Sequence, residues 1–580
     1  MCTFDRGDFK SMIVGKIVEV RGIKILAKFD EKLPPHLIEN GNIIPAPQIN
    51  SYVKTRVGLD TIICQIVGEY LKFDNNQGKE IAYLVELEVR GRISNGKFLG
   101  GLRLLPIVEA KLETLDKEDF NIVFYNTQNS IVIGYNLFDT SNKVSLDINR
   151  LIPTHIGIFG NTGSGKSNTM SKIIKEYIER IEHLPNMNKS KILIFDLNNE
   201  YGNNAICCLD KKKIYNLNTR KENGDKIPFD FKKISADDWG IILNATEKTQ
   251  MPIVRKAYEN SLIEFDKENH RALTIIKRII FNKKNNIFYT IRTYAGQYFD
   301  NIDQISFNST TNGFYANGRY LNTMSDIEQL GIKLKDINNS LDRFEFELLM
   351  EIVQRNENGI NFEFISPLIF RMINKKKQLL KVLKNGEGKF ENDLFEDKNI
   401  CIIQLGSVNK EIKEVIPSLI SNMIYDIKVE NKGNLEVDSI INIVIDEAHN
   451  LLATNKEQSE LYGNSLKVFE KIIKEGRKFG VFLMIASQRP SDISNTITSQ
   501  LQNYFIHKLV NPNDIEKIRK TVAYMDENSL NMVTVLGAGE CIISGSALYI
   551  PQYVYVEELE KEYKPNSDNI KLIGENGILE

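Results

Sequence analysis

The chain has 580 residues, 42% hydrophobic and 26% charged, an ordinary balance for a soluble globular protein of about two to four domains. Lys and Arg number 74 and Asp and Glu 76, a formal net charge of −2; this excludes a globally basic nucleic-acid binder and confines any such surface to a groove or pore. Six cysteines, of which only Cys207 and Cys208 are neighbours, exclude a disulfide framework and offer no Cys-x-x-Cys pair for zinc.

The first residues, Met1 to Lys10, lack a secretory apolar region, and no apolar run approaches the length of a membrane span, so the cytoplasm is the expected location and no membrane partner is implied. From Met12 to about Leu115 short β-branched runs recur (Ile13 to Val20, Ile23 to Phe29, Asp60 to Val67, Ile81 to Val89) between Gly, Asn and Pro, the pattern of a small barrel or sandwich. This predicts a β domain over 1–115, without a catalytic constellation.

The texture changes at Ile156. Compact apolar strands are predicted at Ile156 to Phe159, Ile192 to Phe195, Ile400 to Leu405, Ile440 to Ile445, Val481 to Ile485 and Tyr504 to Leu509. Met170, Ile173, Ile174, Tyr177, Ile178 and Ile181 fall on one helical stripe, as do Leu466, Phe469, Ile472 and Ile473. Buried strands alternating with helices mean a mostly parallel sheet covered on both faces. The pattern assigns 116–200 and 398–556 to an α/β ATPase domain, 201–397 to a polar, Lys/Asn-rich, mainly helical insertion, and 557–580 to an exposed tail or arm.

The segment Gly160-Asn161-Thr162-Gly163-Ser164-Gly165-Lys166-Ser167 matches the phosphate-binding P-loop in full, after an apolar strand and before a helix. Glycines let backbone N–H groups curl around phosphates, and the helix N-terminus favours anions. Lys166 reaches the β and γ phosphates of ATP and the Ser167 hydroxyl coordinates Mg2+; Asn168 extends the nucleotide-binding stretch. Ile443-Val444-Ile445-Asp446-Glu447 places two carboxylates at a strand end. Asp446 is assigned to magnesium and Glu447 to orienting and deprotonating the attacking water. Gln488, ending the next apolar strand in Ala486-Ser487-Gln488, is a candidate to sense the γ-phosphate or position water.

No Leu-Ser-Gly-Gly-Gln signature, no Asn-Lys-x-Asp motif and no late arginine-rich helicase motif accompanies this site, although Asp446-Glu447-Ala448-His449 spells a DEAH box. The order of motifs resembles the HerA branch of the HerA/FtsK translocases. His155 to Thr169 is similar to its P-loop region, Asp196-Leu197-Asn198-Asn199-Glu200-Tyr201 to its Asp-Pro-His-Gly-Glu-Tyr segment, and Asp446 to His449 to its Walker B element. Glu475-Gly476-Arg477-Lys478-Phe479-Gly480 and Ala486-Ser487-Gln488-Arg489-Pro490 are similar to its arginine and glutamine motifs. Asn198 and Asn199 depart from the family's His-Gly, and Thr154 stands where an arginine often precedes the P-loop strand, with Arg150 a nearby substitute.

The resemblance implies a RecA-like P-loop ATPase domain preceded by a small N-terminal β-barrel and interrupted by the insertion. It implies a homo-hexameric ring in which Arg477 acts on a neighbour's γ-phosphate, and double-stranded DNA as the threaded partner. It also implies a separate effector chain, a nuclease or a sirtuin-like NADase, in antiphage defence. Basic stretches that would serve DNA are Lys211 to Lys213 and the run Arg371, Lys375, Lys376, Lys377, Lys381 and Lys384, although such runs are more often solvated faces. The alternative is a nucleotide-switched scaffold that activates a partner effector with little movement on DNA.

Overall fold

The computed structural model describes residues 11–566 apart from 31, 40–41, 74–79, 102, 125–128, 139–141, 183–188, 387, 433–436, 455–459, 523–524 and 526. The N-terminal strands pair in the order Lys24–Phe29, Ile13–Arg21, Lys111–Thr114, Tyr52–Val57, Asp60–Phe73 and Glu80–Ser94, and the last pairs back onto the first. That closure makes a six-stranded barrel and removes its sheet edges. Val14, Ile17, Ile25, Ala27, Val53, Ile62 and Val85 fill its interior.

The second unit is an eleven-stranded mixed sheet. Its parallel part runs Asn503–His507, Ile156–Phe159, Val481–Ser487, Ile440–Ile445, Ser190–Asp196, Ile400–Gln404 and Lys212–Asn216. Glu540–Gly545, Gln552–Val556, Ser130–Asn136 and Lys143–Asp147 extend it antiparallel. Side chains alternate along each strand, so each strand feeds two cores. Ile192 and Ile194 pack under the P-loop helix Lys166–Ile181 with Ile173, Ile174 and Tyr177, whereas Leu193 and Phe195 face the opposite core.

The opposite core is continuous with the insertion, whose helices include Ala236–Leu243, Met251–Leu262, Arg271–Phe281, Asn285–Ala295, Ser340–Glu357 and Pro367–Val382. Trp239 stacks on Phe344 at a centroid distance of 4.0 Å, both rings buried. Phe344→Ala is expected to cost about 3–5 kcal/mol locally, because a buried aromatic leaves a cavity. The emission of Trp239, the chain's single tryptophan, reports it as an earlier urea midpoint; an unchanged midpoint would show that the stack stabilises nothing.

Two segments differ from their expected structure. Lys212–Asn216, placed by pattern in the insertion, is the outer parallel strand of the sheet. Its polar spelling is that of an edge, where lysines blunt further pairing. The residues after Val556, expected as an exposed tail or an arm that needs a neighbour, pack on their own ATPase unit as far as the described chain runs. Leu559 and Pro565 are buried, Ile206 N–H donates to the Tyr563 carbonyl at 3.0 Å, and Asn566 N–H to the Glu200 carbonyl at 2.8 Å.

The barrel meets the sheet at the edge where the parallel strands begin. Tyr52 Oη donates to the Pro551 carbonyl at 3.1 Å, and Phe98 packs on Tyr549. The P-loop lies at the other edge, where these strands end. Among the described residues no helix is long and apolar enough to cross a membrane.

Candidate active site

The P-loop turns between the buried strand Ile156–Phe159 and the helix that starts at Lys166. Gly165 caps that helix at φ 107°, a conformation side chains oppose, and a Cβ on Gly160 would lie 2.5 Å from the His507 Cβ. Neighbouring strands brace the loop from beneath: Asn161 N–H donates to the Lys508 carbonyl at 2.8 Å and Gly539 N–H to the Ser164 carbonyl at 3.0 Å. His507 is buried there, and burial pushes its pKa down to about 4. Its Nδ1 lies 2.9 Å from the Glu540 carbonyl, which only accepts, so Nδ1 carries the proton and Nε2 accepts from the Thr169 hydroxyl at 3.0 Å.

Lys166 is buried, with Nζ donating to the Asn161 carbonyl at 3.0 Å, and burial lowers its pKa against the pull of Glu447, Asp446 and Glu200. The carboxylate pair stands at the end of the strand Ile440–Ile445, one strand removed from the P-loop strand. Asp446 is buried, and its pKa is pushed up to about 7, first by burial, while Tyr201 and the Glu447 N–H oppose the rise. Glu447 adopts φ 50°, a left-handed conformation that costs a non-glycine residue about 1–3 kcal/mol and is found where function over-determines the backbone.

Gln488 joins the two halves. Its Nε2 donates to Glu447 Oε1, and its Oε1 accepts from the Thr162 hydroxyl at 2.5 Å. His449 Nδ1 lies 3.3 Å from both Glu447 Oε2 and Ser487 Oγ. The structure therefore brings Gly160 to Ser167, Asp446, Glu447 and Gln488 together. Asn168 follows the loop, but its amide is committed to the C-terminal arm: Nδ2 donates to the Glu557 carbonyl at 3.2 Å and Oδ1 accepts from Leu559 N–H at 3.1 Å.

Arg477 is not in this group. It is exposed in the turn Gly476–Phe479 that precedes the strand Val481–Ser487, so a strand of about 23 Å separates it from Gln488. Arg150 also lies on that far edge, over the Tyr549 ring at 4.9 Å, and does not substitute at the P-loop. Tyr201 and Glu200, quoted from the sequence only for their resemblance, do stand at the site: Tyr201 Oη donates to Asp446 Oδ2 at 2.6 Å, and the Ser167 hydroxyl is beside both. Their proximity to Asp446 across 245 residues had no local signal beyond the motif itself.

Most of the candidate DNA-binding lysines are occupied. Lys211 pairs with Glu182, Lys213 with Glu396, Lys375 with Glu411, and Lys376 with Asp342 and Glu345. Lys212 donates inward to the Ala205 carbonyl at 2.6 Å, and Arg371 to the carbonyls of Leu243 and Asn244. These residues hold the fold together; Lys377 and Lys384 are the exposed members of the second run.

A phosphate loop at the end of a buried parallel strand, with a strand-end carboxylate pair and a bridging glutamine beside it, defines a P-loop ATPase, a nucleotide-binding enzyme that hydrolyses ATP. The family model for the central domain of the helicase HerA matches residues 131–424, and the chain belongs to the HerA helicase family. A probable helicase of Methanocaldococcus jannaschii is 24% identical over 547 residues, covering 92% of this chain and 87% of that protein. The DNA double-strand break repair helicase HerA of Sulfurisphaera tokodaii is 24% identical over 471 residues, 80% of this chain and 77% of its own. Among solved structures, VirB4 of Thermoanaerobacter pseudethanolicus aligns over 76% of this chain and 99% of that chain, with a TM-score of 0.43 and 13% identity.

Proposed function

We propose that this chain is the subunit of a cytoplasmic homo-hexameric ring that couples ATP hydrolysis to translocation along, or unwinding of, double-stranded DNA. The observation that carries the ring is the division of the site between two edges of one sheet. Phosphate, metal and water groups converge at the edge where the strands end, while Arg477 is exposed at the edge where they begin. A head-to-tail ring brings one subunit's Arg477 to the next subunit's P-loop. The DNA substrate is supported by relatives described as DNA double-strand break repair helicases.

In this reading the backbone of Gly160 to Ser167, including Asn161, Thr162 and Ser164, cradles the phosphates, and Lys166 neutralises the β and γ oxygens. Asn168 contributes only through its backbone. Ser167 and Asp446 would hold magnesium. Oxygen donors alone suit this hard cation, and Glu200 Oε2, on the side chain beside Ser167, is buried without a hydrogen-bond partner. Magnesium bound there supplies charge neutralisation for in-line displacement at the γ-phosphate. Glu447 takes the proton of the attacking water, Gln488 fixes Glu447 relative to Thr162, and a neighbour's Arg477 meets the charge that develops on the γ-phosphoryl group.

The chain carries no nuclease or NADase motif of its own, and a separate effector of either kind, in antiphage defence, completes the reading. The occupied basic runs favour a second reading, a scaffold whose nucleotide state assembles and switches that effector without travel on DNA. Steady-state ATPase rates with and without linear double-stranded DNA, with Glu447→Gln as the blank, separate the two. Stimulation by DNA is the expected result. A rate blind to DNA but altered by the protein encoded beside it would overturn translocation in favour of the scaffold.

A further inference from the structure

The chain leaving the strand Ser190–Asp196 is turned back at once by the carboxylate that ends it. Asp196 Oδ1 accepts from Glu200 N–H and Oδ2 from Tyr201 N–H, each at 2.9 Å. Lys413 Nζ donates to the Leu197 carbonyl at 2.6 Å. Asn199 takes φ 64°, and its Oδ1 accepts from Gly406 N–H at 2.9 Å. Held at so many points, the loop has little freedom, and it delivers Tyr201 into the interior with no exposed surface.

A buried phenol needs a partner for its hydroxyl. The Tyr201 hydroxyl donates to Asp446 Oδ2 at 2.6 Å, while Asp446 Oδ1 accepts from Glu447 N–H at 2.8 Å. One bond on each oxygen fixes the carboxylate plane, which the broad terminal torsion of an aspartate would otherwise leave free, and each oxygen retains a further lone pair. The phenol also stands beside the Ser167 hydroxyl. Tyr201 thus stands beside both of the side chains assigned above to magnesium.

We propose that Tyr201 is a positioning residue of the magnesium site, its hydroxyl holding the Asp446 carboxylate in register with Ser167. The proposal rests on the assignment of Ser167 and Asp446 to the metal. Magnesium tolerates little departure from octahedral geometry, so a carboxylate free to rotate costs metal affinity even when every ligand is present. Removing a group that orients a metal ligand weakens metal binding by about 10–100-fold in general.

Tyr201→Phe keeps the ring and removes the hydroxyl. In the full-length chain, the Mg2+ concentration that half-saturates the ATPase, and the one that half-saturates the Mg2+-dependent gain in affinity for a fluorescent ATP analogue, should both rise by about tenfold or more. Affinity for the analogue in EDTA and the maximal rate at high Mg2+ should stay near wild type. Loss of packing would instead lower both. In an Asp446→Asn background, itself shifted in Mg2+ dependence, Tyr201→Phe should add nothing, since it acts through that carboxylate. A wild-type Mg2+ response in Tyr201→Phe beside a shifted Asp446→Asn overturns the positioning role alone, as do additive effects in the double variant. An unshifted Asp446→Asn overturns the metal assignment and this proposal with it.

Discussion

Glu447→Gln is expected to bind ATP about as tightly as the wild type and to lose turnover by about 10²–10⁴-fold, the usual contribution of a positioned general base. The substitution preserves size and keeps an oxygen that can accept from Gln488 Nε2, so the bridge to Thr162 survives and the P-loop is untouched. What disappears is the basic carboxylate. Its backbone at φ 50° aims this side chain, and glutamine inherits the same conformation, so stability should change little. Single-turnover phosphate release, together with binding of a fluorescent ATP analogue, checks both halves. Turnover within tenfold of wild type would remove Glu447 as the base and turn attention to Glu200, a carboxylate beside Ser167.

The P-loop and the carboxylate pair were legible because phosphate chemistry dictates their spelling locally: glycines where the backbone must curl, a lysine and a hydroxyl at the helix start, acids at a strand end. Gln488 was legible through its place after an apolar strand and through the family's glutamine motif, and the structure ties it to Glu447 and Thr162. The departure at Asn199 also has a physical reading. Glycine, which the family carries there, takes a left-handed conformation freely, and asparagine, the side chain that best tolerates it, adopts φ 64° and adds a bond to Gly406.

What the sequence hid was long-range. An edge strand spelled Lys-Lys-Ile-Tyr-Asn reads as part of the polar insertion because only one neighbouring strand covers it. Lysine runs read as free charge because their acids lie far along the chain, as Lys213 and Glu396 do. The segment after Val556 shows no docking signal of its own because its anchors, Asn168 and Lys172 on the P-loop helix and Glu200, lie far earlier in the chain, with 391 residues separating Asn168 from Leu559. In each case the pairing partner carried the information, and periodicity within the segment could not supply it.

In the proposed ring, Arg477→Ala should leave assembly and ATP binding intact, yet lower hydrolysis by about 10³–10⁵-fold, the range for an arginine that meets transition-state charge on a transferring phosphoryl group. The same loss would follow if Arg477 merely steadied its own fold beside the buried His155, so the single variant does not separate the two. Mixing does. Arg477→Ala subunits retain Glu447, and Glu447→Gln subunits retain Arg477. If the arginine acts across a boundary, a ring assembled from both contains sites where an intact Glu447 meets a neighbour's intact Arg477. Random assortment in a head-to-tail ring makes about a quarter of all sites complete, so two inactive proteins should regain measurable ATPase activity on mixing. An arginine acting within its own subunit gives no complete site in any mixture. Its position a strand's length from its own P-loop argues for the first outcome, because no side chain spans about 23 Å.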